Sequence, residues 1–300
     1  MSVVECTGLK KSYKHVYAIE NLSFAIEGKK ITGLIGRNGA GKTTLLKLIA
    51  GYLRPTAGEI TVFSRNPFNN INVSANLIFV DDHMIFPASF TLKDILKSVG
   101  SFYNNWDNEF ALKLLDYFSL NPKQFHSKLS KGMQSTFNVI IGLASRCSLT
   151  IFDEPTTGMD AAVRKDFYRA LLKDYVEYPR TVIFSSHLLN EIENILEDIL
   201  LIKNGTKCLH LPVTEFKDYA LGLRGNTQEV TRLLGGIEVL HREGFAPDSV
   251  FAIVKNDFSE LKLQELKKAG ILLSAVPTED LCVYLTAKTK GGIDDVFSRN

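Results

Sequence analysis

Short apolar runs alternate with amphipathic stretches along the first two thirds of the chain. Runs rich in Val, Ile, Leu and Phe at residues 2–6, 22–26, 31–35, 77–80, 150–152, 182–185 and 199–202 predict strands. Between them, apolar positions recur at helical spacing over residues 43–52, 92–103 and 161–176. Strands interleaved with helices predict an α/β domain. The dipeptide Asn204-Gly205 closes the last of these strands, and the pattern changes character near Cys208. Residues 1–207 are therefore expected to form one domain and 208–300 a small α+β domain. In the latter, helices are expected at 227–234, 259–269 and 279–285, with strands at 237–241, 250–254 and 271–276.

Composition narrows the class without naming a function. The 300 residues are 45% hydrophobic and 23% charged, ordinary for a globular chain and incompatible with intrinsic disorder. The 35 Lys and Arg against 33 Asp and Glu show no basic excess of the kind that nucleic-acid surfaces carry, so no nucleic-acid partner is expected. Cys6, Cys147, Cys208 and Cys282 are far apart and form no C-x-x-C pair, which fits a reduced, cytosolic protein. The longest apolar runs, such as 139–144, fall far short of the roughly 18 residues of a membrane span. Residues 1–6 carry no secretory pattern, so any membrane role is expected to come through a partner.

Chemistry enters at residues 36–43. Gly36-Arg37-Asn38-Gly39-Ala40-Gly41-Lys42-Thr43 fits G-x-x-x-x-G-K-[ST], in which backbone N–H groups cradle phosphates, the lysine reaches the terminal ones and the hydroxyl holds Mg²⁺. The context agrees: a buried-strand pattern ends at the loop, and Thr43-Thr44 open a helix whose N-terminal dipole favours anions. A glycine turn that only joins strand to helix would leave the lysine unexplained. Downstream, residues 149–154 form a β-rich run that delivers Asp153 and Glu154 at its carboxyl end, where α/β sheets bind ligands. Asp153 is expected to hold Mg²⁺, and Glu154 to polarise an attacking water. Alone, the pair would read as a solvated strand end; with a phosphate loop on a neighbouring strand, it reads as catalytic.

With those motifs placed, the chain resembles the ATP-binding subunits of ABC transporters over about residues 2–205. Leu129-Ser130-Lys131-Gly132-Met133-Gln134 looks like the family's LSGGQ signature, in the LSKGM form of bacterial ABC-2-type exporters. Gly158-Met159-Asp160 resembles the D-loop, His187 the switch histidine, and Tyr13 the aromatic that stacks on adenine. The resemblance implies a P-loop NTPase of ABC ATPase type with a helical subdomain at about 86–145. It implies ATP and Mg²⁺ as cofactors and hydrolysis of ATP. Ser130, Lys131, Gly132, Met133 and Gln134 would complete the ATP site of a second subunit, identical or related. Integral-membrane permease subunits would be the further partners, placing the chain on the cytoplasmic face of the membrane. Export of a peptide, antibiotic or lipid-like cargo is the implied function.

Two positions depart from the family pattern. Where a glutamine usually reaches the metal, the sequence has Val80-Asp81-Asp82-His83, and either Asp81 or Asp82 takes its place. An aspartate keeps affinity for metal but cannot donate as an amide does. The second departure is Lys131, which replaces the signature's first glycine. Within the helical insertion, Phe90, Phe102, Tyr103, Trp106, Phe110, Tyr117 and Phe118 are expected to be mostly core, some of them lining a groove for the membrane partner. The competing reading is a soluble ABC-type ATPase acting on nucleic acid or ribosomes. Such proteins carry a long coiled-coil insertion or two tandem domains, and neither pattern occurs here. Nothing in 208–300 suggests catalysis; pairing with a second copy, or regulation of closure, is the expectation there.

Overall fold

The computed structural model describes residues 1–187, 189–246 and 248–287. The chain divides into two compact units, Met1–His210 and a second from Leu211 onward, three residues beyond the expected boundary.

The first unit opens with β1 (Ser2–Tyr13) and β2 (Val16–Glu27), an antiparallel pair, followed by β3 (Ile31–Ile35), whose five residues are all buried. Helix α1 (Lys42–Ile49) leads to β4 (Ala57–Val62), the short α2 (Ile71–Ser74) and β5 (Leu77–Val80). The helical region follows as α3 (Leu92–Gly100), α4 (Asn108–Tyr117) and α5 (Lys131–Ala144). The remainder is β6 (Leu149–Asp153), α6 (Ala161–Glu177), β7 (Thr181–Ser186), α7 (Leu189–Ile192), β8 (Asp198–Lys203) and β9 (Thr206–Pro212).

Two sheets result. One has the order β2-β1-β4, the other β5-β6-β7-β3-β8-β9, in which β5, β6, β7, β3 and β8 run parallel. The strands buried on both faces read as near-continuous apolar runs, as parallel strands do, interrupted by the buried Thr32 and Thr150. The sequence places β6 beside β3; the structure corrects this, because β7 lies between them. Register nonetheless brings their carboxyl ends level: Ile35 pairs with Ser186, and Ser185 with Asp153. Asn204 (φ 49°) and Gly205 (φ 75°) form the tight turn from β8 to β9, both in the left-handed region that an Asn-Gly turn supplies at low cost.

β1 and β2 extend well past the expected 2–6 and 22–26, because bulges between Cys6 and Leu9 let the ribbon continue beyond Gly8 (φ 56°). The strand β4 has only Ile60 and Val62 buried, too weak a pattern to read from sequence. The aromatics of the helical region also defy expectation. None of the seven is fully buried, and Phe102 and Tyr117 are exposed. Leu92, Ile95, Leu96, Ala111, Leu114, Leu115 and Leu120 form the buried positions instead. α3 starts with a capping box, Thr91 and Asp94 exchanging hydrogen bonds, and ends where Gly100 packs against Trp106 so closely that a Cβ would lie 2.7 Å from the ring.

The second unit continues with α8 (Val213–Lys217), β10 (Ala220–Asn226), α9 (Thr227–Leu233), β11 (Val239–Ala246), β12 (Ser249–Lys255), α10 (Glu260–Lys268), β13 (Leu272–Ala275) and α11 (Thr278–Thr286). Its antiparallel sheet has the order β11-β12-β10-β13. The inner strand β10 has no counterpart in the sequence reading, since Gly222 and Gly225 look like turn residues. Gly222 is there for room: a Cβ would meet Ser274 Oγ at 2.5 Å and the Phe251 ring at 3.0 Å. Leu223, Val230, Val250, Ala252, Val254, Leu266 and Ile271 form this unit's own core.

Candidate nucleotide site

The site is built where β3, β6 and β7 end. From β3 the chain turns through Gly36–Gly41 into α1, whose N-cap is Gly41 at φ 104° with no side-chain cap. A side chain at Gly41 would be strained and would meet Ala18 O at 2.5 Å. The uncapped first turn leaves backbone donors pointing towards the loop. Lys42 sits at the first helical position, 7% exposed, and its Nζ donates to Gly36 O at 2.8 Å, folding the side chain back over the loop.

From β6 come the two carboxylates. Asp153 is buried, and Ser185 Oγ of β7 donates to its Oδ1 at 2.6 Å. The same hydroxyl accepts from Glu154 N at 3.0 Å, so one serine orients both residues. Glu154 has a left-handed backbone, φ 48°, a conformation that a non-glycine residue holds at a cost and that recurs at functional sites. That turn sends its side chain over the phosphate loop rather than along the strand. Oε1 lies 3.4 Å from Lys42 Nζ, and Oε2 lies 2.6 Å from His187 Nδ1. Glu154 thus bridges the loop lysine and the histidine that follows β7.

These groups share a cavity of about 510 Å³, lined by Ala18, Arg37, Asn38, Gly39, Gly41, Lys42, Thr43, Thr44, Asp81, Asp82, His83, Asp153, Glu154, Thr157 and His187. Gly36 and Ala40 frame it without lining it: Gly36 supplies the carbonyl held by Lys42, and Ala40 is buried with its carbonyl accepting from Gly205 N. Both candidate aspartates after β5 reach the cavity, but differently. Asp82 is engaged at both oxygens, Oδ2 by Lys131 Nζ at 2.7 Å and Oδ1 by His83 Nε2 at 3.3 Å. Asp81 accepts from His83 N, and burial pushes its carboxyl above the ordinary value. A carboxylate disfavoured by desolvation gains most from a cation beside it.

The remaining expected residues lie elsewhere. Tyr13, at the end of β1, is 47% exposed, stands under Lys11 Nζ at 5.2 Å, and does not line the cavity. None of Ser130, Lys131, Gly132, Met133 and Gln134 lines it either. Ser130 caps α5, its Oγ accepting from Met133 N at 3.3 Å, and Gln134 Nε2 donates to His126 O. Asp160 caps α6, its Oδ1 accepting from Ala162 N and Val163 N at 2.9 Å each. The sequence reading missed Ser185, His83, Ala18 and Thr157. Only Ser185 carries a signal there, a hydroxyl pair ending an apolar strand.

Among the described residues no cluster of three or more His, Cys, Asp or Glu could hold a metal by itself. Thr43 with Asp153 and Asp81 instead offers a few hard oxygens, the donor set that suits Mg²⁺ when phosphates supply the other ligands. Size does not identify the site. A cavity of about 960 Å³ lies at the opposite strand ends, near Val3, Ser148, Tyr178 and Thr181, without a phosphate loop or a carboxylate pair. Burial pushes the Cys6 thiol up to about 12 and Cys147 to about 11, leaving both unreactive near neutrality. No helix among the described residues is long and apolar enough to cross a membrane.

Comparison with known proteins places this geometry among relatives. The ABC transporter family model matches residues 19–157, and a model described as an AAA domain, putative AbiEii toxin, matches 124–193. The uncharacterized ABC transporter ATP-binding protein YcbN of Bacillus subtilis is 32% identical over 210 residues, covering 68% of this chain and 67% of the relative. The Nod factor export ATP-binding protein I of Sinorhizobium fredii is 26% identical over 299 residues, 95% of this chain and 86% of its own length. The high-affinity zinc uptake system ATP-binding protein ZnuC of B. subtilis is 28% identical, over 70% of this chain and 96% of its own. Among solved structures, a dimeric ATP-binding cassette in a post-hydrolysis state with ADP and phosphate superposes with a TM-score of 0.61 at 21% identity. The match covers 70% of this chain and 98% of that one.

Proposed function

The chain belongs to the family of ABC transporter ATP-binding subunits, and on that premise we propose that two such subunits close around two Mg-ATP molecules to drive export. The observation that carries this reading is a half-built site. The phosphate loop, Glu154 and His187 line one cavity, while Ser130–Gln134, which hold an anion-friendly helix start, stand outside it. A second subunit supplies what is missing.

ATP phosphates entering the loop take Lys42 away from Glu154, because a terminal phosphate is the stronger anion for an ammonium already folded over the loop. Glu154 then keeps His187 as partner and turns its released oxygen to the attacking water. Ser185 holds Asp153 and the Glu154 backbone in place throughout. Thr43, Asp153 and Asp81 are the residues to hold Mg²⁺, which when bound supplies charge neutralisation at the transferred phosphoryl group. Asp82 is committed elsewhere, which favours Asp81 for that task. Tyr13 offers an exposed ring for adenine. Closure of the pair is the work step, and hydrolysis removes the contacts that favour the closed state.

The Nod factor export relative of Sinorhizobium fredii, which extends over 95% of this chain with the second unit included, supports export, although two other relatives of the same name match only 68% of it and the zinc uptake relative 70%. Integral-membrane permease subunits on the cytoplasmic face of the membrane, and a peptide, antibiotic or lipid-like cargo, complete the proposal.

Replacing Glu154 by Gln tests it. ATP binding persists, turnover falls by about 10²–10⁴-fold, the range for loss of a positioned base, and light scattering shows an ATP-dependent dimer. Turnover close to wild type removes Glu154 as the base. The tagged protein purified from native membranes is expected to bring an integral-membrane companion with it.

A further inference from the structure

Two segments far apart in sequence, the turn after β5 and the start of α5, meet beside the nucleotide cavity. Asp82, after β5, and Lys131, the first residue of α5, form an ion pair at 2.7 Å, although they are 49 residues apart. We infer that Asp82 and Lys131 act as one positioning pair, which ties the start of α5 to the wall of the nucleotide cavity.

Four contacts give the pair a fixed setting. The stem of Lys131 packs on the loop that follows Glu154, where a Cβ added at Gly158 would lie 3.1 Å from Lys131 Cγ. The adjacent Gly132 packs so tightly on the same loop that a Cβ would lie 2.3 Å from Gly158 O. About two turns further along α5, Asn138 Nδ2 donates to Asp81 O at 3.0 Å, a second tie between the same two segments. Asp82 is held from its other side by His83. The lysine is half-exposed and the aspartate largely covered, so the contact sits where the cavity wall meets the surface.

The two side chains are chemically complementary. An ionised aspartate only accepts hydrogen bonds, so the Asp82 side chain needs a donor from elsewhere to hold it. An ammonium on a four-carbon stem supplies that donor from the neighbouring helix. A lysine at the start of a helix is opposed by the helix dipole, and the Asp82 carboxylate offsets that repulsion. With the pair in place, a displacement of residues 81–82 on nucleotide binding is passed directly to the turn that carries Ser130. Neither residue touches the reacting atoms; both act through the segments they join.

The inference rests on the proposed role of Ser130–Gln134 at a partner's nucleotide, and charge exchange tests it separately. Lys131→Glu and Asp82→Lys are each expected to lower kcat about tenfold, with the KM for ATP changed less than about threefold. The combined Asp82→Lys, Lys131→Glu protein regains kcat to within about threefold of wild type, and Lys131→Arg keeps it throughout. A combined variant no better than the worse single one overturns the pair, as do single variants without effect. Should the reversed charges prevent folding, Lys131→Met and Asp82→Asn serve: a double variant that loses no more than either single one supports the pair, and additive losses overturn it. Because kcat is read with Glu154 intact, this outcome is independent of the Glu154→Gln dimer, whose absence would instead defeat the reading of paired subunits.

Discussion

Helices α1 and α5 both begin after a glycine-containing or serine-containing turn, yet they begin in opposite ways. At α1 the N-cap is Gly41, with no side chain to satisfy the first N–H groups, and a lysine is folded over the gap. At α5 the N-cap is Ser130, whose hydroxyl already accepts from Met133 N, and Gly132 is pressed against Gly158. The first start presents open backbone donors suited to an anion, with Asp153, Glu154 and His187 around it. The second is a finished piece of structure that shows no reacting partner among the described residues of its own chain. Helices α8 and α11 also start without a side-chain cap, so it is the lysine, the carboxylates and the histidine around α1 that make its open start a site, whereas the capped start of α5 needs another surface brought to it.

The comparison can be broken from its stronger side first. Lys42→Ala removes the one ammonium over the loop and is expected to lower kcat/KM for ATP by about 10²–10³-fold, measured by steady-state hydrolysis. Retained activity would mean that the loop binds phosphate through its backbone alone. Ser130→Ala acts on the other helix start. Losing the cap costs about 1 kcal/mol by denaturant titration, and ATPase activity falls as well if the hydroxyl meets a partner's phosphate. Ser130→Gly sharpens the distinction with the smallest change. Glycine is nearly as good a cap, so stability drops by only a few tenths of a kcal/mol, about what an N-cap glycine costs, while hydrolysis falls as far as in Ser130→Ala. Full activity in Ser130→Gly would reduce Ser130 to a cap.

Legibility followed the distance over which each feature is encoded. Residues 36–43 specify a turn and a helix start within eight positions, and the structure places them at the end of β3 as read. The pair Asp153-Glu154 was legible as a strand end, but its geometry was not. The left-handed backbone of Glu154, which turns the carboxylate towards Lys42, depends on Ser185 in another strand. Asp81 and Asp82 were indistinguishable in sequence, and only Lys131 and His83 separate them. The aromatics of the helical region misled for a related reason. Large apolar side chains predict burial only on average, and in α3 and α4 aliphatic residues hold the inward positions. In the second unit, β10 escaped notice because glycines that look like turn residues were making room for Phe251 and Ser274.

By itself the sequence determined the chemistry: a loop of backbone donors, one lysine, a hydroxyl and two carboxylates, each specified by neighbours a few residues away. Only the tertiary structure decided which of these groups meet. Strand order put β7 and its Ser185 between β6 and β3, and packing joined Asp82 to Lys131 across 49 residues. The reason is physical. Backbone conformation and helix starts are set by local sterics and capping, whereas contacts between distant side chains depend on register and close packing, which no short stretch of sequence contains.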